Sequence, residues 1–529
     1  MHYILKSKAI FDTEKKETFS GGIEIKDGYI TAVYQQTIPT DRGCDIIDCG
    51  SQMIIPSFID AHVHFYLASL VYNKRLTVVS GRSPEEVAKQ AETLPIQNGW
   101  RIGIGWYASD FGQQVYPTRW KLDATTHDVP TLLISGDAHT IWLNSAGMNA
   151  LNITPETLPK EITGERFYEN NVLTGVFLEA IAIYYLAKVL EIFHETATED
   201  CLMYMKQLNQ MGITAVGDVA LTGESPDDLV YPHLYAHQQA TVRINFFPAM
   251  REETQHLDTL SSKYTSPMLQ MSGVKQFFDG VTSSHTALLK EPYANPYHAH
   301  DVGIPLIPIE KMRRLIHLAN QKGFPIRIHA IGDKAIQLTL TYLKEAQEKY
   351  PLLKGNNTVE HLEVMDLADL PLVTQPNLVL SVQPSHLLVG YDTLDEEVGP
   401  IRAKDMFPFQ TFLDVGATLG FGTDVPVVVD VTPLESLYYA VARKTTDGLP
   451  EGEALMSHQK MSIADALVAH TSGAAAAISR DDVGTICVGK RADLAVLSDN
   501  ILHLSNPQDI LNVQVLKTIL NGDIVYQKI

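Results

Sequence analysis

The feature that most constrains this chain is an alternation. Between about residues 53 and 480, short apolar runs rich in Val, Ile and Phe take turns with segments whose apolar residues recur at helical spacing. The strand-like runs fall near 53–59, 101–105, 131–135, 214–219, 241–247, 274–278, 325–329, 358–361, 378–383 and 417–422. Helical patterns cover 179–193, 198–211, 309–322, 333–350, 432–442 and 462–477. Such alternation predicts an α/β fold and argues against a sandwich. Ten strand candidates are two more than a closed (β/α)8 TIM-like barrel needs. The surplus pair, 101–105 and 131–135, is best placed in an insertion of about residues 75–210 after the first strand. A doubly wound open sheet is the competing topology, but no Gly-x-Gly-x-x-Gly or Walker-type loop supports it. The apolar stretch 172–190 is broken by Glu179 and Lys188 and reads as a buried helix, not a membrane span.

Both chain ends read differently. Tyr3-Ile4-Leu5, Ala9-Ile10-Phe11, Gly22-Ile23-Glu24-Ile25 and Tyr29-Ile30-Thr31-Ala32-Val33 are short strands with turns. At the far end, 489–497, 515–520 and 524–526 are strand-like, the last two joined by the hairpin turn Asn521-Gly522-Asp523. Neither piece has enough apolar residues for a core of its own. The reading is therefore a small composite, sandwich-like β domain from 1–55 and 480–529, with a barrel over 56–479.

Inside the barrel, Phe58-Ile59-Asp60-Ala61-His62-Val63-His64 is the first candidate site. Side chains two apart on a strand share a face, so His62 and His64 can converge on one divalent ion. His329 ends 326–329, His361 ends 358–361, Asp424 follows 417–422, and Lys275 lies in 274–278. Residues at the C-terminal ends of barrel strands meet at one mouth. Four histidines and a carboxylate suit one or two divalent ions, with zinc the default. Taken singly, each has a plain structural reading: core histidines, a capping aspartate, a surface lysine. Asp60, two residues before His62, reads as an orienting residue and not a ligand.

Composition sets the outer limits. The chain has 529 residues, 45% hydrophobic, with a formal net charge of -21. That acidity argues against nucleic acid and anionic membrane as partners. The four cysteines, Cys44, Cys49, Cys201 and Cys487, show no CxxC spacing, so neither a disulfide scaffold nor a thiolate zinc site is indicated. The N-terminus lacks the apolar core of a signal peptide. A cytoplasmic enzyme acting on a small-molecule substrate is expected, with a homo-oligomer admissible.

The chain resembles the amidohydrolase superfamily and, within it, the YtcJ-like amidohydrolase branch related to N-substituted formamide deformylase. The resemblance rests on 58–64, Gly136-Asp137-Ala138-His139-Thr140-Ile141-Trp142-Leu143-Asn144-Ser145, 274–280, His329-Ala330-Ile331-Gly332-Asp333 and Glu360-His361. It also rests on Ser381-Val382-Gln383-Pro384-Ser385-His386, Gly422-Thr423-Asp424-Val425-Pro426-Val427 and 489–494. Thr423 stands where serine is common. The resemblance implies that His62 and His64 bind one metal and His329 and His361 a second. It implies that Asp424 binds the first metal and acts as acid and base, and that Lys275, once carboxylated, bridges the two. The chemistry expected is hydrolysis of a carbon–nitrogen bond in an amide or an N-acyl or N-formyl amine by a metal-activated water. His139 and His386 are expected to act on the substrate carbonyl. Glu179 is a candidate specificity residue. His139 and Trp142 belong to a flap over the mouth, and Trp106, Tyr107, Phe111, Tyr293 and Tyr297 sit in loops facing it. Two alternatives stand beside this reading. One is a mononuclear deaminase of a heterocycle using Asp333 as acid, although Asp333 more simply serves the start of a helix. The other is a catalytically silent ligand-binding scaffold.

Overall fold

The computed structural model of the chain describes residues 1–39, 43–112, 116–220, 230–388, 391, 393–428 and 431–528. Eight strands form the barrel: β1 (Phe58–Val63), β2 (Ile213–Val219), β3 (Arg243–Phe247), β4 (Val274–Phe277), β5 (Ile326–Ala330), β6 (Asn357–His361), β7 (Leu378–Val382) and β8 (Leu419–Phe421). β1 to β3 pair in parallel, as do β4 to β8. Two seams close the ring. Lys275 N–H donates to the Pro248 carbonyl and Met250 N–H to that of Lys275, each at 2.8 Å, joining β3 to β4. Asp424 N–H donates to the His62 carbonyl at 2.8 Å and His64 N–H to that of Val425 at 3.0 Å, joining β8 to β1. Gly422 is required at the second seam, because a Cβ there would lie 2.5 Å from the His62 backbone nitrogen.

Two expectations need correction. The run 53–59 is two strands: Met53–Pro56 belongs to the terminal sheet, and the barrel strand starts at Phe58. Both are buried on both faces, so no change of apolar period marks the crossing. The run 172–190 is a strand, Val172–Leu178, and a helix, Ala180–Leu190, parted at Glu179 with φ +63°. An unbroken apolar run does not distinguish a buried strand from a buried helix.

Among the described residues, eight strands from both ends form one hydrogen-bonded sheet. Met53–Pro56 lies between His2–Asp12, to which it is parallel, and Leu494–Leu497, to which it is antiparallel. The two ends are thus interleaved, and Leu5, Ile10, Ile23, Ile25, Ile54, Leu494 and Ile519 share one core. The sheet is fastened at the N-terminal ends of the barrel strands, away from the mouth. Arg243, opening β3, donates from Nε and Nη2 to the two carboxylate oxygens of Asp493 at 2.6 and 3.0 Å, both side chains fully buried. A second sheet, of seven strands among the described residues, lies between β1 and β2 in the chain. There Trp100–Trp106 pairs in parallel with Thr131–Ser135. Trp106 and Trp142 pack with Leu133 and Val176 in its own core. Among the described residues, no helix is long and apolar enough to cross a membrane.

Behind β1, the helix Ile463–Val468 passes through a π turn, Ala469–Gly473, that carries His470. Its Nδ1–H donates to the Ile59 carbonyl at 3.0 Å, and its ring lies between Phe58 and Phe421. Burial pushes its pKa down to about 4.

Two predictions follow from these buried polar groups. Asp493→Ala leaves the Arg243 guanidinium buried and unpaired, and should destabilise the protein by about 3–5 kcal/mol. The exposed pair Lys6–Asp48 offers the contrast, with Asp48→Ala costing less than about 1 kcal/mol. Denaturant midpoints of the two variants check the difference. For His470 the folded pKa lies below the unfolded value of about 6.5, so the unfolded chain takes up the proton first. Its contribution to stability is complete above that value and is lost as pH falls toward about 4, with a slope of up to about 1.4 kcal/mol per pH unit. His470→Asn should flatten that part of the stability–pH curve, and an unchanged slope would remove His470 as its source.

Candidate metal centre

The C-terminal ends of the barrel strands open into a cavity of about 870 Å³. His62 of β1, His64 just after it, His329 of β5, His361 of β6, His386 after β7, Asp424 after β8 and His139 from the inserted sheet all line it. The sequence had scattered these residues over most of the chain. His361 and Asp424 both have positive φ, +73° and +59°. Non-glycine residues in that region recur where surrounding structure holds a functional geometry.

The rings are fixed from behind. His62 Nδ1–H donates to Glu360 Oε2 at 2.6 Å, and Glu360 Oε1 accepts from Arg327 Nε at 2.6 Å, all three fully buried. His64 Nδ1–H donates to the Val219 carbonyl at 2.9 Å. Carboxylates and carbonyls only accept, so each Nδ1 carries a hydrogen, and the tautomer that binds a metal, with the lone pair on Nε2, is the one these acceptors favour. Those Nε2 atoms lie 3.2 and 3.3 Å from Asp424 Oδ1, which has no hydrogen-bond partner. Facing one another in a buried site, these three atoms form a candidate site for a cation. The arrangement of imidazoles held by acceptors is that of metal-ligating histidines. Burial works to raise the Asp424 pKa, but the adjoining His62 and His64 outweigh it and hold the carboxyl well below the usual range.

Asp60 secures the seam. Its Oδ1 accepts from Thr423 N at 2.9 Å and its Oδ2 from Thr423 Oγ1 at 2.6 Å, fixing the loop that presents Asp424. Burial raises the Asp60 pKa to about 6.

Around this centre stand the other candidates. His361 Nδ1–H donates to the Gln383 side-chain oxygen at 2.9 Å, and His329 Nε2–H donates to the Gly280 carbonyl at 3.0 Å. Burial holds the pKa of both rings well below normal. His386 Nδ1–H donates to Glu363 at 3.0 Å, and its Nε2, 3.4 Å from Asp424, lacks a hydrogen-bond partner. Ligand atoms of His62, His64 and Asp424 fall within 4.8 Å of one another, and so do those of His361, Glu363 and His386. Lys275, on β4, is buried, its Nζ has no hydrogen-bond partner, and burial pushes its pKa down to about 8. Its charge acts on His64, His329 and His361. An orphaned amine beside a set of ligands fits a modified, metal-facing lysine.

His139 reaches the cavity from the insertion. Its Nδ1–H donates to Glu179 Oε2 at 2.7 Å, and its carbonyl accepts from Glu179 N at 2.8 Å. Burial works to lower the His139 pKa, but the Glu179 carboxylate outweighs it and raises the value to about 9. Glu179 itself is fully buried and orients His139; it does not line the cavity.

Several expectations fail here. Trp142 is fully buried in the inserted sheet and does not reach the mouth. Strand alternation decides this, because Trp142 points into the sheet's own core. Trp106 is buried with Phe111 stacked on it, and Tyr293 stacks on His285, so only Tyr107 and Tyr297 of the five aromatics line the cavity. Asp333 accepts Lys290 N–H at 2.7 Å and lies outside the cavity wall, which leaves the deaminase reading without its acid. Glu360, Glu363 and Gln383 were not singled out from the sequence. Glu360 had a signal: a charge inside an apolar strand, like Arg327 on the neighbouring strand, must be paired.

The sequence profile of the amidohydrolase family matches residues 45–526. YtcJ of Bacillus subtilis (strain 168) is 27% identical over 508 residues, covering 91% of this chain and 90% of that one. The N-substituted formamide deformylase of Arthrobacter pascens is 24% identical over 524 residues, covering 92% and 90%. An uncharacterized metal-dependent hydrolase from Pyrococcus horikoshii shares the fold, with a TM-score of 0.73 at 24% identity over 95% of this chain and 99% of that one. The profile takes in all eight barrel strands and every residue of the site, and the chain belongs to the amidohydrolase family.

Proposed function

We propose that the chain hydrolyses the carbon–nitrogen bond of an amide or an N-acyl or N-formyl amine, as a member of the YtcJ-like branch. The observation that carries this is the meeting of His62 Nε2, His64 Nε2 and Asp424 Oδ1, three buried atoms that form a candidate site for a cation. The N-substituted formamide deformylase named above supports the choice of bond. His62, His64 and Asp424 would hold one divalent ion, with zinc the default for this donor set. His329 and His361 would hold a second, with Lys275 between the two as a carboxylated bridge. The orphaned Lys275 Nζ supports that role, since a carbamate offers two anionic oxygens where an ammonium offers none. Glu363 and His386 form with His361 the other group of ligand atoms in reach of an ion. Bound divalent ions supply Lewis acidity that lowers the pKa of water and polarises a carbonyl.

The residues of the chain supply the proton transfers. Asp424, fixed by the Asp60–Thr423 bonds, takes the proton of the attacking water and gives it to the leaving nitrogen. His139 and His386, both in the cavity wall, donate toward the substrate carbonyl oxygen. The products are a carboxylate and an amine. We further place the domain boundaries near residues 55 and 480, supported by the interleaved terminal sheet. The cytoplasmic setting, supported by the sparse cysteines, belongs to the same reading.

The test is turnover of a panel of N-formyl and N-acetyl amines. Asp424→Asn should lower kcat by about 10²–10⁴-fold, and full activity in that variant would remove Asp424 from the chemistry. Glu360→Gln keeps the shape but weakens the hold on His62. It should cost about 10–100-fold in metal affinity, read by competition with a chelator, and an unchanged affinity would contradict the orienting role.

A further inference from the structure

Histidines apart, the charged side chains of the cavity wall are all carboxylates. Among the described residues, Asp110, Asp137, Glu363, Glu396, Glu397 and Asp424 line it, and no lysine or arginine does. Lys275 and Arg327 are buried and stand outside that wall. Asp424, Glu363 and Asp137 have partners within the site: Asp424 faces His62 and His64, Glu363 holds His386, and Asp137 Oδ1 accepts from the backbone N–H of His139. Glu397 is different. Hydroxyls of Thr282 and Thr393 are its hydrogen-bond donors, and its neighbours Glu363 and Glu396 carry the same charge. Burial, with those neighbours adding to it, raises its pKa to about 7.

An aromatic ring adjoins these carboxylates. Tyr297 lines the cavity, stacks on His285 with centroids 3.7 Å apart, and feels the charge of Glu397. The loop carrying it is tied to the Glu397 backbone by Ala294 N–H at 2.8 Å. At the inner end, His386 is 8% exposed, lines the same cavity and has an unpartnered Nε2, which marks where the reacting end of a ligand lies. Carboxylates beside an aromatic ring attract an organic cation, whereas a substrate carboxylate would meet charge of its own sign.

We propose that the outer part of the cavity, at Glu396, Glu397 and Tyr297, binds an organic cation, so that the substrate is an amide carrying a second, protonated amine or amidinium group. This rests on the reading of the cavity as a hydrolytic site. The inner end takes the acyl group beside His386 and Asp424, and Glu397 is the principal counter-ion of the distal charge. Acylated amino acids with a free carboxylate are disfavoured.

Two measurements on the full chain test this separately from hydrolysis. In the first, calorimetry compares choline, whose quaternary nitrogen has no lone pair for a metal, with its uncharged tert-butyl isostere. Choline should bind about tenfold tighter or more, a difference of one decade in Kd. Glu397→Gln and Glu396→Gln should each narrow that gap, while the exposed Glu451→Gln leaves it intact. Equal binding of the two probes overturns the proposal, as does a gap that neither cavity variant narrows. In the second, kcat/KM is compared for a monoacylated alkyl diamine, its uncharged alkyl counterpart and a counterpart ending in carboxylate. The expected order is cation, neutral, anion. Hydrolysis of all three without that order defeats the cation site and leaves the hydrolase reading standing. Tight choline binding without hydrolysis of any amide supports the cation site and defeats the hydrolase reading.

Discussion

Everything at the mouth of this barrel depends on a confrontation of lone pairs. Glu360 and the Val219 carbonyl commit Nδ1 of His62 and His64 as donors, which turns both Nε2 lone pairs toward Asp424. In water such a cluster would relax by turning its rings. In a buried site it stays only because the groups behind it are themselves buried and satisfied. Arg327 completes that support by binding Glu360, so the candidate cation site at the mouth is set up by an ion pair on the adjoining strands β5 and β6. A metal-dependent hydrolase of the amidohydrolase family needs this order: first the fixed rings, then the ion.

The fold delivers the geometry through its seams. β8 meets β1 only because Gly422 lets the two backbones approach, and Asp60 then pins Thr423 so that Asp424 turns inward. The opposite seam runs through Lys275, whose backbone closes the ring and whose side chain is buried. The inserted sheet adds what the barrel lacks: His139, held by Glu179 at the strained turn where strand gives way to helix.

Much of this was legible in the sequence, for particular reasons. The alternation of apolar runs and helical patterns identified the barrel, and the strand-end positions of His62, His64, His329, His361 and Asp424 marked the mouth, because period and position along a strand are local properties. What escaped depended on partners distant in the chain. Glu360 and Glu363 acquire their roles only from His62 and His386, which β-pairing brings to them. Trp142 carried the chemistry of a pocket aromatic, but its strand faces a core of its own. The crossing at Ser57 was hidden because Met53–Pro56 and Phe58–Val63 are equally apolar and equally buried. The gathering of carboxylates around the cavity was also hidden, since they come from separate loops and the net charge of -21 says nothing of where they meet.

The central claim is that His62, His64 and Asp424 enclose a divalent cation. Elemental analysis of the metal-replete chain, run beside His62→Ala, tests it most directly. The account predicts about one or two equivalents of a divalent metal, zinc by default, in the native chain, and loss of at least one equivalent in the variant. Absence of bound metal from the replete native protein, or an unchanged content in His62→Ala, would contradict it.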